Sequence, residues 1–395
     1  MREVNPLVVP IEENSGLLEK IDKDALKIIK RLKKHSYKAY LVGGCVRDLL
    51  LGKNPKDFDV VTNAWPKKIR QLFSNSRLIG RRFQLVHVFF GKKIIEVSTF
   101  RQEDKSPPEI AKDGSVRKYE NKYGNEKTDA FRRDLTINAL FMDPFEKKII
   151  DYTGGYYDLM NKKIRVIGNP LTRFSEDPVR VLRTLRHAFR TSFTLLPETV
   201  EGIRLCKHLI HDVSPVRLFD ELRKDISYGF YDKFAYFLHQ HGLLEILFPY
   251  LRKATSLESV NYEILSRVSE VDLNKHPHLA VALLWFAFLQ NKRGIELPQI
   301  PVIHEELCEL FGICRPPKGV LMKAGFLLSI FKKTLKSFRK KQPLILKISD
   351  DTFYCLTKLV EIVYPEMLNF AHESGRYHSG KDWKSEVKSK ATNRP

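Results

Sequence analysis

The segment from Leu41 to Asp59 constrains the fold more tightly than any other part of the chain. Lys38 to Val42 reads as a strand stopped by Gly43-Gly44. Cys45 to Leu51 reads as a short amphipathic helix with Arg47 one turn in, ended by Gly52, and Asp57 to Thr62 reads as a second strand. Residues two apart on a strand face the same side, so Asp57 and Asp59 are expected to project together while Phe58 enters the core. Neighbouring carboxylates repel unless a cation is shared between them. Hard divalent cations such as Mg²⁺ take oxygen donors of this kind and complete their shell with phosphate oxygens. Glycines let a backbone approach an anion, and a helix N-terminus offers free N–H groups. Arg47 is expected to grip a phosphate through two hydrogen bonds. A third carboxylate is expected from a neighbouring strand, and Glu96, inside Ile94 to Phe100 between Ile95 and Val97, is the candidate. Each piece alone has a plainer reading, a surface Asp-x-Asp or a tight turn. Together they describe one pocket for a nucleoside triphosphate and its metal ions.

Around this pocket the chain reads as α+β. Asp24 to His35 has helical spacing, and Asn63 is expected to cap a helix carrying Pro66 in its first turn. Gln84–Phe90 and Ile94–Phe100 form a hairpin signal. Residues 102–128 are polar, with Pro107-Pro108, Gly114 and Gly124, and read as a surface loop. A helix is expected from Asp129 through Leu140, then a strand pair around Ile149-Ile150 and Ile164 to Val166. From Asp177 onward the pattern is helical, with breaks at prolines. The expected division is an extension over 1–22, a head with a mixed or antiparallel sheet over 23–168, a helical neck over 169–250, a helical body over 251–375 and a basic tail over 376–395.

Sixty-eight Lys plus Arg against 47 Asp plus Glu give a net charge of +21, which favours a polyanionic partner. Lys332, Lys333, Lys336, Arg339, Lys340 and Lys341 form one basic cluster, and 381–394 another. Read from charge alone, these are either an RNA grip or a solvated helix face and tail. The cysteines (Cys45, Cys206, Cys308, Cys314, Cys355) form no CxxC pair; they read as buried thiols of a reducing compartment, with no structural zinc expected. No signal peptide and no apolar run long enough to span a membrane is read, so a cytoplasmic protein, without membrane insertion and monomeric, is expected.

Three blocks carry a family resemblance. Leu41-Val42-Gly43-Gly44-Cys45-Val46-Arg47-Asp48-Leu49-Leu50-Leu51-Gly52, followed by Asp57-Phe58-Asp59, resembles the signature of the class II tRNA nucleotidyltransferases and bacterial poly(A) polymerases, members of the polymerase-β-like nucleotidyltransferase superfamily. Arg132-Arg133-Asp134-Leu135-Thr136-Ile137-Asn138-Ala139-Leu140 resembles their ribose-binding motif. Glu176-Asp177-Pro178-Val179-Arg180-Val181-Leu182-Arg183 resembles the motif that reads the base edge. The resemblance implies that Asp57 and Asp59 hold two Mg²⁺ ions, with Mn²⁺ as a substitute, and that Gly43, Gly44 and Arg47 cradle the triphosphate. It implies that Arg133 and Asp134 contact ribose and phosphates, Asp134 also supporting the catalytic carboxylates. Asp177 and Arg180 would present donors and acceptors to the base, with Asn138 and Arg183 in support. Cys45 departs from the family, where a third small glycine is usual.

The family contains enzymes that add poly(A) and enzymes that repair the CCA end of tRNA. Leu78-Ile79-Gly80-Arg81-Arg82-Phe83-Gln84-Leu85 resembles the basic-aromatic stretch of the first group, and Arg81 and Arg82 are expected on RNA. The resemblance therefore implies addition of AMP from ATP to RNA 3′ ends, with a CCA-adding or A-adding tRNA enzyme as the alternative.

Overall fold

The computed structural model describes residues 5–12, 16–80, 84–102, 122–226, 231–249, 261–272, 274–289 and 300–375. The chain divides into two compact units, Met1–Cys206 and Lys207–Pro395.

The first unit is built on an eight-stranded sheet. Its strands are β1 (Leu7–Pro10), β2 (Ala39–Val42), β3 (Asp59–Thr62), β4 (Ser76–Ile79), β5 (Leu85–Phe90), β6 (Lys93–Thr99), β7 (Phe141–Asp143) and β8 (Lys148–Asp151), in the spatial order β1-β8-β7-β2-β3-β6-β5-β4. Neighbours pair antiparallel except β3 and β6, which run parallel with Asp59 opposite Glu96. β2 is buried along its whole length, as a central strand covered on both faces must be. Its last residue, Val42, lies opposite Asp59, so pairing alone brings the glycine turn beside the acidic strand.

Helices cover the sheet. α1 (Lys23–Lys34) is capped by the Asp22 carboxylate, which accepts from the amides of Asp24 and Ala25, and it buries Ala25, Ile28, Ile29 and Leu32 at helical spacing. α2 (Gly44–Leu50) leaves the end of β2, and α3 (Pro66–Leu72) opens on a proline. α4 (Glu126–Phe131) carries a capping box between Asn125 and Thr128. Under these elements Tyr40, Phe100 and Phe141 meet with ring centroids 6.0–6.2 Å apart. α5 (Gly155–Met160), α6 (Pro170–Glu176), α7 (Val179–Thr191) and α8 (Pro197–Cys206) complete the unit.

Several expectations need correction. Asp57 lies outside β3, which starts at Asp59, and Phe58 is half-buried rather than in the core. Asn63 does not cap α3; its side chain accepts from the Lys38 amide, tying the strand ends together. Residues 129–140 are not one helix. α4 stops at Phe131, and a single 3₁₀ turn follows at Thr136–Asn138. β9 (Lys163–Ile164) does not pair with the strand at 149–150 but with β10 (Thr194–Leu195), in a separate parallel ribbon. β8 pairs with β7 and β1, neither of which the sequence pattern revealed.

In the second unit the described elements are helical: α9 (Pro215–Ile226), α10 (Tyr231–Gln240), α11 (Leu244–Leu247), α12 (Tyr262–Arg267), α13 (Pro277–Leu289), α14 (Ile300–Phe311), α15 (Lys318–Arg339), α16 (Asp350–Val363) and α17 (Leu368–Gly375). Pro197, Pro215 and Pro277, which read as breaks, stand at helix starts, where a missing N–H costs nothing, whereas Pro249 follows the end of α11. α13 is buried on every side from Leu279 to Phe288 and packs against α15 and α16. No helix among the described residues is long and apolar enough to cross a membrane.

Candidate active site

The site begins at Gly43. Its backbone sits at φ +83° and ψ −138°, a region open almost solely to glycine. A Cβ at this position would stand 3.7 Å from Asp59 Oδ2 and 3.8 Å from Arg133 Nη1. The turn is therefore within contact of one acid and one arginine brought from two other elements. Cys45 directs its thiol into the interior, where Sγ donates to the Val42 carbonyl at 3.3 Å; the departure from a small residue is accommodated by burial.

Asp59 is half-buried, and its carboxyl is pushed up to about 6. Burial is the largest cause, followed by the charge of Glu96; Arg133 opposes them and Asp57 adds. Asp57 is exposed, and Glu96 is half exposed, with His87 Nε2 3.3 Å from its Oε1. Glu96 and Asp57 thus both press on Asp59 electrostatically. A carboxylate lifted by burial first and then by neighbouring acids has the chemistry of a cation site, because a divalent ion offsets the charge that a proton otherwise offsets.

Arg133 is held by a residue that sequence reasoning passed over. Asp129 is completely buried, and its oxygens accept from Arg133 Nε and Nη2 at 3.0 and 2.8 Å, Arg132 Nε at 2.9 Å and the Arg101 amide at 3.1 Å. Burial pushes the Asp129 carboxyl up, but Arg133 and Arg132 outweigh it and hold it below the ordinary range. The signal was present as an acid three and four positions before two arginines.

Arg47 is anchored next to the glycine turn. It is 5% exposed, and Nε and Nη2 engage Asp48 while Nη1 donates to Asn138 Oδ1 at 2.8 Å. A guanidinium so placed props Asn138 beside the glycine turn. The other partner of Asn138 is His187, whose Nε2 lies 3.3 Å from Asn138 Nδ2 and whose Nδ1 lies 3.4 Å from Arg47 Nη1. Burial holds the His187 imidazole well below its ordinary value, reinforced by Arg47, Arg186, Arg190 and Arg183, so it is neutral at neutral pH. His187 was also missed. It follows Arg180 and Arg183 by seven and four positions on one helical stripe.

Asp134 is not joined to the acidic strand. Its two oxygens accept from Arg180 Nε at 2.9 Å and Arg183 Nη1 at 3.2 Å. Arg180 also donates to the Arg173 carbonyl and to Glu176. Asp177 precedes α7, and its Oδ1 accepts from the Val179 amide at 3.3 Å. Gly155 links this region to the rest, since a Cβ there would fall 2.1 Å from the Thr136 carbonyl. Gly43, Arg47, Asp59, Arg133 and Asn138 thus form one connected cluster, with Glu96 on the adjoining strand. Asp134, Arg180 and Arg183 form a second, joined to the first through the Arg132–Asn138 segment. Lys332, Lys333, Arg339, Lys340 and Lys341 lie at the C-terminal end of α15 and just beyond it, in the other unit, mostly exposed. Arg81 and Arg82 lie outside the described residues, as do most of the 102–128 loop and the 376–395 tail.

Residues 39–165 match the poly A polymerase head domain family, and residues 192–255 match the family described as a probable RNA and SrmB-binding site of polymerase A. Poly(A) polymerase I of Salmonella typhi is 40% identical over 305 residues, which is 73% of this chain and 65% of that protein. Residues 39–165 belong to the poly A polymerase head domain family. A CCA-adding enzyme of Bacillus pumilus is 35% identical over 255 residues, 62% of this chain and 61% of that protein. The chain thus spans not quite two thirds of the length of these curated relatives. The Bacillus stearothermophilus CCA-adding enzyme in complex with CTP shares the fold, with a TM-score of 0.57 at 24% identity over 92% of this chain and 80% of that one. Gly43 to Asn138 fall inside the head-domain match, whereas Asp177, Arg180, Arg183 and His187 fall between the two matched regions.

Proposed function

We propose that the chain adds AMP from ATP to RNA 3′ ends without a template and releases pyrophosphate. The observation that carries this reading is the meeting of Asp59, the Gly43 turn and Arg133, with Glu96 in register on the next strand. The relatives named poly(A) polymerase I support the choice of product.

Asp57, Asp59 and Glu96 are the residues that would hold divalent cations, Mg²⁺ in the first instance. Such ions, when bound, lower the pKa of a 3′-hydroxyl and offset charge on a leaving pyrophosphate. The chain itself supplies orientation. The Gly43-Gly44 backbone receives the triphosphate, because Gly43 adds no side chain beside Asp59 and Arg133. Arg133, held by Asp129 through Nε and Nη2 and by the Asn138 carbonyl through Nη1, stands beside that space and offsets phosphate charge without having to be ordered first. Arg47 and neutral His187 fix Asn138, which is the candidate to meet the ribose. Asp134 holds Arg180 and Arg183 as a pair of donors for the base, with Asp177 at the same corner. Lys332, Lys333, Arg339, Lys340 and Lys341, with Arg81 and Arg82, would hold RNA through its phosphates. The head, neck and body divisions given above are part of the same proposal.

Incubating the protein with Mg²⁺, a generic RNA and each NTP singly tests the reading. Long tails with ATP alone are expected. Addition of C, C and A that then stops, on tRNA only, would favour the CCA-adding alternative, to which the 35% identical relative also points.

A further inference from the structure

A separate cluster of chemically active side chains lies in the unit Lys207–Pro395, and the proposed reaction makes no use of it. His276 and His278 flank Pro277, the first residue of α13, while Asp351 and Cys355 stand on the first two turns of α16. A spacing of four puts Asp351 and Cys355 on one helical face. One nitrogen from each histidine, a carboxylate oxygen and the cysteine sulfur all lie within 4.8 Å of one another. Cys355 Sγ is 3.3 Å from His278 Nε2 and 3.6 Å from His276 Nδ1, and that same Nδ1 is 3.1 Å from Asp351 Oδ1. A tetrahedral zinc ion, with bonds of about 2.0–2.3 Å, sets its ligands roughly 3.3–3.8 Å apart.

We propose that His276, His278, Asp351 and Cys355 form a binding site for a zinc-type divalent cation that joins α13 to α16. The donor set is the reason for the metal class. Sulfur and imidazole select Zn²⁺ over the oxygen-seeking Mg²⁺. A hydrogen-bonded cluster accounts for the geometry less well, since His276 Nδ1 faces both a carboxylate and a sulfur and carries at most one proton. A cation at the centre meets all four groups at once.

Burial and charge agree with this. His278 and Cys355 are buried and Asp351 is exposed, which leaves an approach from solvent. Burial holds the His278 imidazole below its ordinary value, with Asp351 opposing and Lys323 and His276 adding, so it stands as a neutral ligand. Burial pushes the Cys355 thiol up to about 12, with Asp351 adding and Lys323 opposing. Uptake of an ion must therefore expel the thiol proton, and affinity must rise with pH. Lys323, on α15, acts on both buried ligands, opposing a proton on His278 and favouring the Cys355 thiolate. The 77 positions between His278 and Cys355 explain why cysteine spacing gave no hint of the site.

The test is titration of the chelator-stripped full chain with Co²⁺. A tetrahedral thiolate site gives a near-ultraviolet sulfur-to-cobalt band and strong visible bands, and oxygen donors such as Asp57 and Asp59 give no sulfur band. The expected result is a band that saturates at one ion per chain and is bleached by Zn²⁺. It is absent in Cys355→Ser, and in Asp351→Asn it needs at least about tenfold more metal. Zn²⁺ should raise the melting temperature of the unmodified protein and leave that of Cys355→Ser unchanged. No sulfur band at saturating Co²⁺, or a band that persists in Cys355→Ser, would overturn the proposal. Should Cys355→Ser fold poorly by circular dichroism, the titrations of the unmodified chain and of Asp351→Asn decide, because Asp351 is exposed and its replacement leaves the interior intact.

Discussion

Asp134 accepts a hydrogen bond from Arg180 Nε at 2.9 Å, and through it the segment after α4 is fastened to the start of α7. With Arg183 on its other oxygen, Asp134 sets the direction of two guanidinium groups. Base choice should therefore depend on the acid as much as on the arginines. Asp134→Asn is expected to relax the ratio of kcat/KM for ATP over CTP, and so is Arg180→Ala. In the double variant the two losses should fall short of adding, with a coupling of about 0.5–3 kcal/mol. Additive losses in steady-state kinetics with each nucleotide would mean that the two residues act separately.

Asp59 predicts a conflict between stability and activity. Its carboxyl titrates at about 6 in the folded chain against an ordinary value of 3.8. Between those values the folded state keeps a proton that the unfolded state has lost, so this group's contribution to stability falls as pH rises, and its full cost is present above about pH 6. Asp59→Asn removes that charge. In chelator near neutral pH it should be more stable than the unmodified chain, by on the order of 2–3 kcal/mol, with the difference vanishing below about pH 4. Denaturant titrations across that range check the sign.

Gly43→Ala should damage both fold and reaction. The backbone there is one that L-residues rarely adopt, at a cost of about 1–3 kcal/mol. The added methyl would also sit between the Asp59 carboxylate and Arg133. Extension should fall more than stability does, because the methyl fills the space assigned to phosphate. An alanine variant with full activity and merely lowered Tm would remove the turn from the site.

His187 sets an opposite pH limb. Its folded pKa is depressed, so the stability of the neutral form is complete above about pH 6.5 and is lost as pH falls below it, when a new cation would face Arg47, Arg186, Arg190 and Arg183. His187→Gln, which cannot titrate, should flatten the acid limb of the melting profile while weakening the hold on Asn138. An unchanged limb would assign it to another group.

Much of this was readable from local pattern. The glycine turn before an arginine-bearing helix, the Asp59 strand and the β5–β6 hairpin stand where spacing and turn chemistry put them. Long-range pairing was less legible. β1 joins the sheet through β8, over a hundred residues later, and β7 is a three-residue strand whose identity comes from β2 beside it. The protein partners of Arg47 and Asp134 were not readable from their side-chain types. Sequence displays a guanidinium but not whether an Asn138 or Asp48 already occupies it. Asp129 and His187 were passed over because each acts through an arginine and neither belongs to a recognisable catalytic pair.

The central claim is that Asp59, beside the Gly43 turn, belongs to a cation-dependent centre for nucleotidyl transfer. The most direct measurement compares the unmodified chain with Asp59→Asn for ATP-dependent extension of a labelled RNA in Mg²⁺, with RNA affinity determined in parallel. Loss of extension by at least about 10³ with RNA affinity unchanged is the predicted result. Extension by Asp59→Asn at a rate near that of the unmodified chain would contradict it.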